Sequence, residues 1–157
     1  MVERGARRLI SSVAVSDDDA YPPVLSADLV GTYAASSGAG GGFVWDEVLE
    51  YRVWCHPEDG GDDYYYPFAT AAEAIACSAQ TDGAEEPLAL ILQREYIEEE
   101  EPGSYTHVVA ERVTEWPLEF LRRPRRTPYT IPDFFAPDAP ANRLAILRGQ
   151  APDPRRR

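Results

Sequence analysis

Hydrophobic and polar positions along the chain predict a succession of short strands and helices that begins at Phe43. In residues 49–55, apolar side chains alternate with polar ones at the two-residue period of a half-buried strand. Pro57 ends this strand. The tyrosines at 64–66 are predicted to be extended, because a proline, here Pro67, disfavours helical backbone in the residue before it. This stretch is therefore predicted to run as a strand, an acidic loop and an extended segment.

The clearest local signal is Thr-Ala-Ala-Glu at residues 70–73, which matches a capping box. In that motif the hydroxyl and the carboxylate satisfy backbone N–H groups that a helix leaves unpaired at its start. The motif predicts a helix over 71–80, with small residues on one face that suit close packing against a sheet. Gly83 suits the left-handed backbone expected just past the helix end.

Two further segments predict a β-hairpin. Residues 87–97 are apolar on both sides at their start, which is typical of a central strand, and residues 104–116 are rich in β-branched and aromatic side chains. The four glutamates at 98–101 are predicted to form the turn between them, together with Pro102 and Gly103.

The remaining pattern predicts short helical pieces at 117–123 and 141–148 and a turn around 131–135. The predicted order is β-α-β-β followed by helices. The expected fold class is α+β, a small and mostly antiparallel sheet covered by short C-terminal helices. We expect a single domain at 43–149, a disordered N-terminal extension at 1–42 and a disordered Arg-rich tail at 150–157.

Acidic and basic residues are distributed unevenly along the chain. The chain has 27 acidic and 15 basic residues, for a net charge of −12. Residues 43–120 hold 19 of the acids and 3 arginines, whereas residues 121–157 hold 3 acids and 9 arginines. We expect arginines at the start of that last segment to lie against the acidic centre: Arg122, Arg123, Arg125 and Arg126.

The lack of a membrane-helix pattern, the two cysteines and the acidic charge together predict the compartment and the partners of the protein. No apolar run approaches the ~20 residues of a membrane helix, and two cysteines, Cys55 and Cys77, suit free thiols in a reducing cytoplasm. We therefore expect a cytoplasmic protein that binds no membrane. The acidic centre disfavours nucleic-acid binding, although it could also mimic a phosphate backbone and block a nucleic-acid-binding protein.

Candidate chemistry is sparse. The cysteines and histidines match no zinc-ligand spacing, so we expect no metal site. Cys55 and His56 are neighbours on a strand and point to opposite faces, which disfavours a catalytic dyad; His107 could reach a cysteine only across the sheet.

Aromatic residues beside acidic ones offer the most informative cluster. In an extended segment Tyr64 and Tyr66 face one way and Tyr65 the other, so at least one ring meets solvent or a partner unless the tail covers it. The alternative is that these rings cap the edge of the core. We predict an interaction surface of eight residues: Trp54, His56, Asp62, Asp63, Tyr64, Tyr65, Tyr66 and Trp116.

Four stretches are considered together: Glu50–Pro57, Asp63–Tyr66, Thr70–Ala74 and Val113–Pro117. They resemble a family of small acidic bacterial proteins commonly labelled GNAT-superfamily N-acetyltransferases. The resemblance covers roughly 48–149 and implies a mixed α/β fold that moves an acetyl group from acetyl-CoA to an amine. That superfamily holds the cofactor pyrophosphate in an Arg/Gln-x-x-Gly-x-Gly/Ala loop, whose nearest match is residues 80–85.

Two functions are therefore open at this point. One is a non-catalytic module that binds another protein through its acidic, tyrosine-rich surface, with no cofactor. The other is a GNAT-type acetyltransferase that uses acetyl-CoA. The charge pattern favours the first, and no catalytic or cofactor-binding residue is assigned for the second.

Overall fold

The computed structural model describes residues 21–37 and 40–155. In this part of the chain the strands are β1 (Glu47–Cys55), β2 (Tyr64–Phe68), β3 (Leu88–Gln93), β4 (Tyr96–Glu101), β5 (Ser104–Val108) and β6 (Arg112–Pro117). The helices are α1 (Ala71–Gln80), α2 (Thr130–Phe135) and α3 (Arg143–Leu147), with 3₁₀ turns at Ala27–Leu29 and Leu118–Arg122.

The strands form a mostly antiparallel sheet in the order β2-β1-β3-β6 and a separate two-stranded sheet of β4 and β5. This arrangement confirms the expected α+β class. The chain divides into two compact units. Unit 1 comprises Val48–Leu90 with the described part of Met1–Ala34, and unit 2 comprises Ala35–Glu47 and Ile91–Arg157. The predicted domain limits at 43 and 149 coincide with neither unit.

Unit 1 is built on β1, which pairs antiparallel with β2 and is buried along most of its length. Helix α1 packs against β2 through Ala71 and Ala74, as the small-residue face predicts. The Thr70 hydroxyl accepts a hydrogen bond from the Glu73 backbone N–H at 3.2 Å, so the predicted cap is present. Its hydroxyl also lies 3.1 Å from the Glu73 carboxylate.

Residues 21–34 contact β1, which differs from the disorder that we expect from their composition. Val24 pairs with Val48, and the Ala34 carbonyl accepts from Arg52 at 2.6 Å. The physical reason is that β1 carries polar side chains whose partners lie in this segment, so backbone groups rather than apolar side chains hold it in place. Residues 1–20, also predicted to be disordered, lie outside the described residues.

Unit 2 has its own core, which surrounds Ile97 on β4. Its buried members are Val44, Ile97, Ile131, Phe134 and Leu147. The four glutamates at 98–101 continue β4 instead of forming the turn that we predict, and the turn is confined to Pro102 and Gly103. Their side chains are exposed, so strand pairing keeps the four carboxylates in solvent.

Of the four arginines predicted to lie against the acidic centre, Arg125 and Arg126 pair with carboxylates of unit 2. Arg123 instead lies over the Trp116 and Phe120 rings. The Arg126 Nη2 atom lies 2.8 Å from Asp46 Oδ1, with 14% and 6% of the two side chains exposed. Arg125 reaches Glu47 at 3.5 Å. The end of the chain differs from the expected disordered tail over 150–155, where Arg155 binds Asp153 through both carboxylate oxygens.

Candidate functional site

The residues around the β1–β2 turn place the tyrosine run in two orientations. Trp54 lies opposite Tyr65 in the strand register, and their rings are 4.9 Å apart between centroids. The Arg52 guanidinium stacks on the Tyr65 ring at 4.4 Å. Tyr64 and Tyr66 share the opposite face, in edge-to-face contact at 5.6 Å. The alternation predicted from the strand period is therefore confirmed.

The three tyrosine rings differ in their exposure to solvent. Tyr64 is 42% exposed, whereas Tyr65 and Tyr66 are half-buried. Asp62 and Asp63, which precede them, are exposed. An aromatic ring thus meets solvent directly beside two carboxylates, and both kinds of group recognise cations.

His56 joins this cluster to the loop that follows α1. Its Nδ1 atom lies 2.8 Å from Asp63 Oδ1, and its Nε2 atom contacts Glu85 Oε2. Because both ring nitrogens meet carboxylates, the charged imidazolium satisfies both contacts by donating twice. Hydrogen bonds to Asp63 and then to Glu85 raise the pKa of His56 above its usual value. A histidine held in this way has no nitrogen lone pair available for use as a general base.

We predict a pH dependence that depends on this histidine. Because the pKa of His56 is raised in the folded state, its contribution to stability is present below the unfolded-state pKa and is lost as pH rises through the folded value. Histidine ring NMR signals should therefore show His56 titrating at higher pH in the native protein than in urea. His107→Gln should leave this difference intact, whereas an unshifted His56 signal would contradict the two-carboxylate contact.

Trp116, the eighth predicted surface residue, does not belong to this cluster. It lies on β6 in unit 2 and is fully buried, and its indole N–H donates to the Gly41 carbonyl at 2.9 Å. The prediction that Trp116 lines the interaction surface is therefore wrong. Trp116 is placed by core packing and by its contact with Gly41, and neither follows from its own neighbours in the sequence.

Outside the core, the described residues of unit 1 carry mainly negative charge. Among its described residues there are ten carboxylates and one arginine, Arg52. Arg52 is fully buried, with its Nε atom 2.6 Å from Glu50 Oε2. His56 aside, the formal charges that face solvent among residues 21–34 and 48–90 are therefore negative. We call His56, Asp62, Asp63, Tyr64, Tyr66 and Glu85 the acidic tyrosine surface. Trp54 and Tyr65, also predicted to belong to it, lie on the opposite face of the strand pair.

The cysteine and histidine considered for catalysis each have other surroundings in the described part of the chain. Cys55 is buried, and burial raises the pKa of its thiol, so it stays protonated. His107, the histidine considered as its partner, lies in unit 2 and contacts Glu95 at 2.7 Å. Within residues 21–37 and 40–155, no group of three or more His, Cys, Asp or Glu side chains is arranged to hold a metal ion, and no helix is long and apolar enough to cross a bilayer.

We compared the chain with known proteins. Neither a protein-family model, nor a curated protein, nor a solved structure matches the chain. What this chain does is therefore argued from its own residues.

Two features of the site are missed by the sequence analysis. Glu85 contacts His56 from 29 positions away, and no local pattern signals such a pair. The buried Glu50–Arg52 pair has a signal, because opposite charges two apart on a strand share a face. The alternation of apolar and polar residues along β1 predicts that the face with Glu50 and Arg52 meets solvent. Residues 31–34 cover this face instead.

Proposed function

We propose that this protein is a non-catalytic interaction module whose acidic tyrosine surface binds a cationic segment of a partner protein. The observation that carries the proposal is the charge of residues 21–34 and 48–90, which hold ten carboxylates and one arginine, and that arginine is buried against Glu50. A surface of one sign attracts the opposite charge and speeds its encounter. Tyr64 adds an exposed ring on which a guanidinium can stack.

Arginine is the side chain that this surface suits best. Its planar guanidinium pairs with carboxylates through two parallel hydrogen bonds and stacks on aromatic rings, whereas the ammonium of lysine is a compact point charge. Asp62 and Asp63 supply carboxylates next to the Tyr64 ring. We therefore expect arginine-rich segments to bind more tightly than lysine-rich segments of the same charge.

The position of the segment nearest to a pyrophosphate loop disfavours acetyl transfer. Residues 80–85, the nearest match to a pyrophosphate loop, follow the C-terminal end of α1, where the helix dipole is negative. A phosphate-binding loop instead leads into a helix N-terminus. Glu85 ends the segment and contacts His56. This arrangement supports binding rather than cofactor-dependent catalysis.

We also place the protein in the cytoplasm as part of this proposal. Cys55 and Cys77 are free thiols in the structure, and free cysteines suit a reducing compartment. Partner capture would then involve a cytoplasmic protein with an accessible arginine-rich segment.

Calorimetric titration with hexa-arginine and hexa-lysine peptides tests the proposal. We expect saturable binding of hexa-arginine that weakens with salt, and weaker binding of hexa-lysine. Asp62→Asn/Asp63→Asn should weaken hexa-arginine binding about fivefold, since each exposed charge pair contributes about 0.5 kcal/mol.

A matched control separates a specific surface from net charge. Glu98→Gln/Glu101→Gln removes the same charge from β4, whose glutamates are exposed, and should leave the affinity within about twofold. Equal losses in the two variants would mean that hexa-arginine responds only to net charge, and the proposal would fail. A saturable rise in melting temperature with acetyl-CoA would favour the acetyltransferase instead.

A further inference from the structure

A second candidate site lies in unit 2 and shares no residue with the acidic tyrosine surface. A cavity of about 370 Å³ is bounded by the segment after Leu118–Arg122, by α2, by α3 and by the last described residues. Phe134 and Leu147 are buried core residues that also line this cavity, and Ile146 and Pro124 extend the apolar lining. Such a volume lies within the usual range of small-molecule sites, ~300–1,000 Å³.

Arg143 is a cation that lines this cavity. Its Nη1 atom donates to the Phe134 carbonyl at 2.8 Å, and its guanidinium lies over the Phe134 ring at 4.3 Å. The ion pairs that the structure describes in this part of unit 2 involve Arg126 and Arg155 and not Arg143. These contacts fix the guanidinium beside an apolar wall and leave further N–H donors for a ligand.

Three further charged side chains line the cavity: Asp133, Asp153 and Arg155. Arg155 is paired with Asp153 through two contacts of 3.0 and 3.1 Å, and it also reaches Asp138 at 3.3 Å. The Asp133 carboxylate repels any negative group, and it repels a doubly charged ligand about twice as strongly as a singly charged one. The lining thus combines one available guanidinium, an apolar wall and a limit on ligand charge.

We propose that this cavity binds a small organic acid with one carboxylate and an apolar ring or chain. The carboxylate would accept hydrogen bonds from Arg143, and the apolar body would pack against Phe134, Ile146 and Leu147. A charged hydrogen bond to a partly buried guanidinium is stronger than one between neutral groups, which makes the carboxylate the recognised group. The inference does not depend on the acidic tyrosine surface.

Three probes that differ only in the head group test this inference: 3-phenylpropanoate, 3-phenylpropan-1-ol and 3-phenylpropan-1-amine. Amide NMR titration should show saturable binding of the acid, with shifts at α2 and α3. The alcohol should bind about tenfold more weakly and the amine more weakly still, because each loses the charged contact with Arg143. Equal binding of all three, tighter binding of the amine, or no saturable binding of the acid would overturn the proposal.

Two variants locate the site. Arg143→Gln should reduce the affinity for the acid to that of the alcohol and leave the affinity for the alcohol unchanged. Ile146→Phe fills the cavity without touching the guanidinium, so it should abolish binding of both probes and serves if Arg143→Gln does not fold. Unchanged affinity for the acid in the folded variants would contradict the assignment.

Discussion

Replacing Arg52 by methionine while Glu50 remains should lower the free energy of unfolding by about 3–5 kcal/mol. Both side chains are fully buried, and their closest contact is 2.6 Å between Arg52 Nε and Glu50 Oε2. Without the arginine, the carboxylate would be left in the protein interior with no counter-charge. The Ala34 carbonyl, which accepts from Arg52 Nη2 at 2.6 Å, would lose this donor as well.

The control for this prediction removes both charges together. Glu50→Gln/Arg52→Met keeps an amide oxygen to accept the Gly31 backbone N–H, which now reaches Glu50 at 2.8 Å. Urea unfolding of the single and double variants should show that the double variant recovers at least half of the loss, since no unpaired charge remains. A single variant as stable as the natural chain, or a double variant less stable than Arg52→Met, would contradict the paired arrangement.

The second large effect is expected at Gly83, where an alanine Cβ atom has no room. Gly83 has φ +80°, and an added Cβ would lie 2.7 Å from the His56 carbonyl oxygen. This close approach belongs to a backbone pair, in which the His56 N–H donates to the Gly83 carbonyl at 2.9 Å. Gly83→Ala should therefore lose about 1 kcal/mol for left-handed backbone and a further ~2 kcal/mol for the clash.

Gly60 provides a control with the same backbone. It also has φ +80°, but no atom lies within 4 Å of the position that a Cβ would take. Gly60→Ala should therefore cost only the conformational part, about 1 kcal/mol. Thermal unfolding of the two variants side by side measures the difference, and equal destabilisation would mean that the close approach at Gly83 does not limit the side chain there.

The elements best predicted from the sequence are those whose signals are local. The capping box at 70–73 predicts the start of α1, because its hydroxyl and carboxylate act within one helical turn. The strand at 98–101 was missed, because four adjacent glutamates favour a loop by composition while cross-strand pairing with residues 104–106 decides the structure. β-propensity depends on such partners, and a single sequence does not show them.

The candidate site also has some features that the local sequence predicts and others that it does not. The two orientations of the tyrosines follow from the strand period, so Tyr64 and Tyr65 were assigned to opposite faces correctly. The contact between His56 and Glu85 and the burial of Trp116 depend on how distant segments meet. The cavity beside Arg143 was not predicted either, since it is formed by segments separated by loops.

Amide NMR of the full chain during titration with hexa-arginine tests the interaction proposal most directly. The proposal predicts saturable shifts that cluster at residues 54–66 and 82–86 and fade as salt is added. Shifts that centre on β4 and β5 instead, or that never saturate, would contradict it.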